Sequence, residues 1–155
     1  PVVEKIAALI KALNVEGFEP VVLLGADRHM ASDDVSFVHA LKHRAGDSFA
    51  VRLAVCELDW LREIENAAAL VSGRFHHSIA AAFLDTPFIV MESNTPKIAG
   101  LLQMLDVDAF VSIEEADLED RLLSLVSECV QQPRERLLDD RLKGELRDLS
   151  LQNFD

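Results

Sequence analysis

Residues 69–97 read ALVSGRFHHSIAAAFLDTPFIVMESNTPK, and this stretch decides the fold. A short apolar run ends at Ser72, an alanine-rich segment with a large apolar residue at every fourth position follows, and a second apolar run begins after Thr86. The two apolar runs are typical of buried strands, and the spacing between them is that of a helix. The stretch therefore predicts a strand, a tight turn, a helix and a second strand.

The same alternation extends in both directions along the chain. An amphipathic helix is predicted at 2–14, and two leucine-rich helical stripes follow residue 113. This order predicts a three-layer, Rossmann-like α/β fold with a doubly wound parallel sheet of about five strands. Extra C-terminal helices are predicted to follow the sheet. The prediction is one domain over residues 1–155, with its core at 20–113 and its C-terminal helices at 114–155. The predicted strands lie at 21–25, 49–55, 69–72, 88–92 and 109–113.

Composition excludes several function classes. A formal charge of −12 over 155 residues argues against sequence-independent binding to nucleic acid or to anionic lipid, which requires clustered Lys and Arg. No apolar segment approaches the ~20 residues that span a bilayer, so no transmembrane segment is predicted. Two cysteines, Cys56 and Cys129, are far apart and lack metal-type spacing, which predicts reduced thiols and a cytoplasmic protein.

Cationic side chains follow three of the predicted strands. Arg74, His76 and His77 follow the third strand, Arg28 follows the first, and Lys97 follows the fourth. A strand order of 2-1-3-4-5 would bring the carboxyl ends of the first and third strands to one crevice, which is where α/β sheets hold ligands. Glu92 ends the fourth strand at the same edge. A cationic crevice on an acidic protein predicts a small anionic ligand, such as a phosphate or carboxylate.

Each of the residues after the third strand also has a structural interpretation. Arg74 binds an anion or pairs with a surface carboxylate. His76 and His77 are adjacent and cannot both face inward. His76 is predicted as the catalytic residue, acting as neutral donor or general acid or base, and His77 as a substrate-binding residue at the rim or a packing residue. Ser78 either contacts the ligand or forms a local helix cap.

The remaining candidates are weighed in the same way. Lys97 either contacts the ligand or is a solvated helix residue, Arg28 is a second cation or an ordinary polar turn residue, and Glu92 completes the crevice wall. His39 and His43 have the i, i+4 spacing of metal ligands but no carboxylate or cysteine partner, so no metal is predicted. Dinucleotide and P-loop motifs are absent from the sequence, and no cofactor is predicted.

Residues 70–76, LVSGRFH, resemble the polysaccharide pyruvyl transferase family, in which a strand ends in Arg-Leu-His before a small-residue helix. The matching elements continue as a Thr-Pro strand at 86–90 and a segment that begins at Lys97. The resemblance covers about residues 20–113, and it departs from the family pattern at Phe75, where leucine is usual, and in the lack of any tyrosine.

The resemblance implies a GT-B-like enzyme of exopolysaccharide biosynthesis, with two Rossmann-like domains and the active site between them. Such transferases move a pyruvyl group from phosphoenolpyruvate to a hydroxyl of a cell-surface or exported polysaccharide. The chain would be the C-terminal, donor-binding half of a longer two-domain protein. Arg74 would hold the donor carboxylate or phosphate, His76 would act as the acid or electrostatic partner, and Lys97 would add charge.

Whether this chain catalyses a reaction alone stays open, because the other domain would supply the saccharide acceptor site. Two alternatives remain beside the transferase interpretation. The first is the nucleotide-sugar-binding half of a GT-B glycosyltransferase or epimerase. The second is a non-catalytic module in which the C-terminal helices form a homodimer or partner interface, with leucines at 138, 142, 146 and 149.

Overall fold

The structure is a computed structural model, and it describes residues 2–24, 32–92, 100, 102–103, 110–131, 139–141 and 143–144. Within these residues, strands and helices alternate along the chain as the hydrophobic spacing predicts. The helices are α1 (Val2–Val15), α2 (Ser32–Ala45), α3 (Glu57–Asn66), α4 (Phe75–Phe83) and α5 (Leu118–Gln131). The strands are β1 (Val21–Leu24), β2 (Ala50–Leu53), β3 (Leu70–Ser72), β4 (Phe88–Met91) and β5 (Phe110–Val111).

The strands form two small parallel sheets. β1 pairs with β2, and β3, β4 and β5 form a second sheet in that order. The predicted mixed α/β fold with parallel strands is confirmed at this level. In the part of the chain that the structure describes, β1 and β3 are not hydrogen-bonded to each other, so the expected single sheet of about five strands is not formed by these ladders. The order 2-1-3-4-5 stays a prediction.

Side chains of β3 and β4 alternate between two helical layers, as the period of two along a strand requires. Phe88 and Val90 pack in one cluster with Ile64 of α3 and the alanines of α4. Ile89, between them, packs in another cluster with Leu122 of α5. Strands buried on both faces are typical of parallel sheets, and they explain the continuous apolar run at 88–91.

Helix α1 connects the two sheets on one face. Its Ile10 packs in a cluster with Leu41 of α2 and residues of β1 and β2. The preceding residue, Leu9, packs in the cluster that contains α5 and β5. The ammonium group of Lys5 also donates a hydrogen bond to the carbonyl of Ile113, at 3.2 Å, just after β5. α1 therefore contributes to the core of both sheets.

Two features fix the position of α4, whose first turn carries most of the candidate site. Its three successive alanines, 80–82, are buried, and their small side chains let the helix approach the sheet closely. Thr86, fully buried after the helix, donates a hydrogen bond from its hydroxyl to the carbonyl of Ile64 at 3.0 Å. This bond ties the end of α3 to the loop between α4 and β4.

The turn after α4 also binds the C-terminal part of the chain. Asp85 has a left-handed backbone (φ 55°), which aspartate tolerates better than most residues, and its carboxylate accepts hydrogen bonds from Lys143 at 3.2 and 3.3 Å.

We expect Asp85→Asn to lower the free energy of unfolding by about 0.5–1 kcal/mol, and to have almost no effect in a Lys143→Met background. Urea unfolding of the four proteins measures this coupling, and equal losses in both backgrounds would contradict it.

Candidate functional site

The turn between β3 and α4 is held by a local hydrogen bond. Ser72 is the last residue of β3, and its hydroxyl oxygen accepts the backbone N–H of Arg74 at 3.1 Å. Such a bond from residue i+2 to a serine side chain defines a compact turn. Arg74 has an extended backbone at the N-cap position of α4, so the helix begins immediately after it. The sequence Ser-Gly-Arg therefore ends the strand and starts the helix within two residues.

His77 anchors this turn from the inside. Its Nε2 accepts a hydrogen bond from the indole N–H of Trp60 at 3.2 Å, and its Nδ1 lies 3.1 Å from the hydroxyl of Ser72. The rings of Trp60 and His77 are also in contact, with their centroids 5.0 Å apart. An indole nitrogen can only donate, so Nε2 of His77 carries no proton and Nδ1 carries it. His77 is thus a neutral imidazole that donates to Ser72.

The same environment makes His77 hard to protonate. Burial, followed by the positive charges of Arg74 and His76, lowers the pKa of His77 from 6.5 to about 4. A histidine with this pKa stays neutral near pH 7, and both of its nitrogens are already engaged. The structure therefore gives His77 the packing role that was one of its two predicted roles.

This shift of pKa predicts acid sensitivity. Between pH 6.5 and about 4 the unfolded chain takes up a proton at His77 that the folded chain does not, so the free energy of unfolding falls as the pH falls through that window. We expect a contribution of about 1–2 kcal/mol, less than the full shift implies because solvent partly screens the ring. Urea unfolding of the wild type and of His77→Asn between pH 7 and 4.5 measures it. Parallel pH profiles for the two proteins would contradict the assignment.

Arg74 is exposed, and among the described residues it pairs with one carboxylate. Its guanidinium lies 3.4 Å from the carboxylate of Asp34 in the first turn of α2, and the two side chains are 64% and 37% exposed. An ion pair this exposed contributes little to stability and is readily exchanged for another anion. The contact brings the start of α2 to the turn after β3. The loop after β1, which was expected to share a crevice with this turn, lies outside the described residues.

His76 and Ser78 lie in the same first turn of α4 but in different surroundings. His76 is exposed, with its ring against the edge of Phe75 at a centroid distance of 5.7 Å. Ser78 is buried, and its hydroxyl donates to the carbonyl of Arg74 at 3.3 Å. The proton of Ser78 is thus used within the helix. The expected cap is not formed, because the N-cap position is Arg74 and Ser78 donates to a backbone carbonyl, whereas a capping side chain accepts a backbone N–H.

Glu92 lies at the carboxyl edge of the second sheet, directly after β4. It is exposed, its backbone N–H donates to the carbonyl of Val111 at 2.8 Å, and its carboxylate accepts a hydrogen bond from the hydroxyl of Ser112. Its side chain therefore pairs with the end of β5. The other two predicted ligand residues, Arg28 and Lys97, lie outside the described residues.

Three residues of this site were not among the predicted candidates. Ser72 was recognised only as the end of an apolar run, and Trp60 and Asp34 were not singled out. Each of them reaches the site through a tertiary contact with α4 or its turn, and such contacts leave no periodic signal in the sequence. The one available signal was chemical: tryptophan usually needs a hydrogen-bond acceptor when it is partly buried, and a nearby histidine can provide it.

The structure shows no group of three His, Cys, Asp or Glu side chains suited to a metal ion among the residues it describes. Cys56 is exposed and Cys129 is half-buried, and both are free thiols; burial raises the pKa of Cys129. Within the described part of the chain, no helix has the length and apolar character needed to cross a membrane.

Comparison with protein-family models, with curated proteins and with solved structures found no match. At the turn itself, an exposed arginine, an exposed histidine and the start of a helix lie together at the carboxyl end of β3.

Proposed function

We propose that this chain is the donor-binding, Rossmann-like domain of a polysaccharide pyruvyl transferase-like enzyme, and that phosphoenolpyruvate binds at the turn between β3 and α4. The observation that carries the proposal is the exposed guanidinium of Arg74 on a turn that hydrogen bonds hold in place. An arginine in such a position can bind a carboxylate or phosphate through two parallel hydrogen bonds. The start of α4 favours negative charge at the same point.

The ion pair between Arg74 and Asp34 is compatible with this role. The Arg74 side chain is largely exposed and that of Asp34 is partly exposed, and the 3.4 Å separation is longer than that of a strong charge-assisted hydrogen bond. An incoming dianion can therefore replace the aspartate at small cost. In the free protein, Asp34 would hold the arginine near the position that it needs for the ligand, which reduces the entropy lost on binding.

In the proposed reaction, His76 assists a proton transfer. Ketal formation makes two bonds from C2 of phosphoenolpyruvate to two hydroxyl oxygens of a sugar, and it breaks the C2–C3 double bond and the bond from C2 to the phosphate oxygen. One of the two hydroxyl protons is added to C3, and the other leaves with the released phosphate. His76 is exposed in the turn of helix that follows Arg74, so it is accessible to a bound donor. In this proposal it acts as the acid or as an electrostatic partner, and the saccharide acceptor is held by a second domain.

Ligand preference tests the proposal. Calorimetric titration of the full chain with phosphoenolpyruvate, inorganic phosphate and a uridine nucleotide is expected to show the tightest binding for phosphoenolpyruvate, since it carries two anionic groups. A preference for the uridine nucleotide would instead support the nucleotide-sugar-binding half of a glycosyltransferase or epimerase. Absence of binding to all three ligands by the folded protein would overturn the proposal.

A further inference from the structure

The hydroxyl group of Ser72 has more hydrogen-bond capacity than the described structure uses. A serine hydroxyl has one proton to donate and two lone pairs that accept. One lone pair accepts the N–H of Arg74 at 3.1 Å, and the other accepts the Nδ1–H of His77 at 3.1 Å. Both lone pairs are therefore occupied, and the proton of the hydroxyl points elsewhere.

Trp60 fixes the direction of the bond between His77 and Ser72. If Ser72 donated to Nδ1, the proton of a neutral His77 would sit on Nε2 and would face the indole N–H of Trp60, which cannot accept it. The 3.2 Å contact between these two nitrogens excludes that arrangement. Ser72 must therefore be the acceptor, and within the described residues its own proton has no acceptor.

A buried hydroxyl proton is rarely left without a partner, and Ser72 is only 9% exposed. An oxygen that accepted this proton would lie at the end of β3, beside the turn that carries Arg74. An anionic oxygen is the strongest acceptor for a neutral O–H donor. The Ser72 hydroxyl, which lacks an acceptor for its proton, thus lies next to the turn whose Arg74 guanidinium attracts an anion.

We propose that Ser72 is a ligand-binding residue, which donates its hydroxyl proton to a carboxylate or phosphate oxygen of the anion held by Arg74, and that Trp60 is a positioning residue, which acts through His77. This inference rests on the proposed function. Trp60 does not touch the ligand. It selects the tautomer of His77, and that tautomer keeps the Ser72 proton available to the anion.

Titration of Ser72→Ala and Ser78→Ala with phosphoenolpyruvate gives a matched comparison of two buried serines on either side of the turn. We expect Ser72→Ala to weaken binding about tenfold, since a hydrogen bond to a charged group is lost. Ser78→Ala is expected to bind within about twofold of the wild type, because the Ser78 proton is used inside the helix. Parallel titrations with pyruvate and inorganic phosphate identify the group that Ser72 contacts, since only the ligand that provides that group loses affinity.

A second variant tests the tautomer without altering Ser72. Trp60→Phe removes the indole N–H, so His77 can move its proton to Nε2 and accept from Ser72. We expect ¹⁵N NMR to show the Nδ1–H tautomer of His77 in the wild type and a shift toward the Nε2–H tautomer in Trp60→Phe. We also expect Trp60→Phe to lower the affinity for phosphoenolpyruvate by about threefold or more, on the order expected for a weakened hydrogen bond. Thermal unfolding confirms that each variant is folded.

The outcomes separate this inference from the proposed function. One outcome would overturn the role of Ser72 alone: Arg74→Ala removes the binding seen in the wild type, but folded Ser72→Ala binds as well as the wild type. An Nε2–H tautomer in the wild type, or unchanged binding in Trp60→Phe after the tautomer has shifted, would overturn the role of Trp60. Absence of binding by the wild type would overturn both the inference and the proposed function.

Discussion

Arg74→Ala is expected to weaken the binding of phosphoenolpyruvate by 100-fold or more, which corresponds to about 3 kcal/mol. The guanidinium is the cation at the turn after β3, and alanine removes both the charge and the paired hydrogen bonds that it offers to a carboxylate or phosphate. The fold should be nearly unaffected, since the side chain is largely exposed and its pairing with Asp34 is weak. Calorimetric titration gives the affinities, and thermal unfolding gives the stabilities.

Arg52→Ala provides the matched control for this experiment. Arg52 lies on β2, its side chain is 60% exposed against 64% for Arg74, and it makes a similarly weak contact with Glu63 at 4.0 Å. Both variants lower the positive charge of the chain by one unit. Equal losses of affinity in the two variants would show that binding follows net charge, and would contradict a specific anion site at Arg74.

Leu122→Ala is expected to lower the free energy of unfolding by about 3 kcal/mol. Leu122 is fully buried in α5, in the cluster formed with Leu9 of α1 and Ile89 of β4. Removing most of a buried leucine loses its transfer free energy and leaves a cavity that the surrounding strands cannot fill. Leu58→Ala on α3 is the control, since Leu58 is 63% exposed and its replacement should change stability by about 0.5 kcal/mol or less. Urea unfolding compares the two variants.

This experiment also tests the alternative in which the C-terminal helices form an interface. If the leucine stripe of α5 faced a second copy, Leu122→Ala would dissociate a dimer and its cost would depend on protein concentration. The structure buries this stripe within the same chain, so we expect a loss that is independent of concentration. The second predicted stripe, with leucines at 138, 142, 146 and 149, lies outside the described residues.

The elements of the fold could be predicted because their signals are local. The spacing of Ile6, Leu9 and Ile10 indicates α1, and the apolar run at 88–91 indicates a strand buried on both faces. The neighbour relation between β1 and β3 had no such signal. It was inferred from a common strand order, and the described residues show β1 paired only with β2. Pairing between distant strands depends on tertiary packing, which a single sequence does not encode in a readable pattern.

The candidate site was predictable in location and less so in detail. Cationic residues after a strand and at a helix start indicate an anion site by elementary electrostatics, and this pattern predicts Arg74 and His76 as site residues. Adjacent residues on a helix point in different directions, so the two histidines could not both face inward. The structure shows that His77 faces inward and that His76 is exposed. The roles of Trp60 and Ser72 depend on hydrogen bonds across 17 and 5 positions of the chain, and no spacing rule predicts such bonds.

The most direct test of the central claim, an anion site at the turn between β3 and α4, is a chemical-shift map of the full chain titrated with phosphoenolpyruvate. We expect the largest changes at the backbone amides of Arg74 to Ser78 and at Asp34, and none along β2. We also expect Arg74→Ala to remove these changes. The largest changes at residues distant from this turn, or an unchanged map in Arg74→Ala, would contradict the claim.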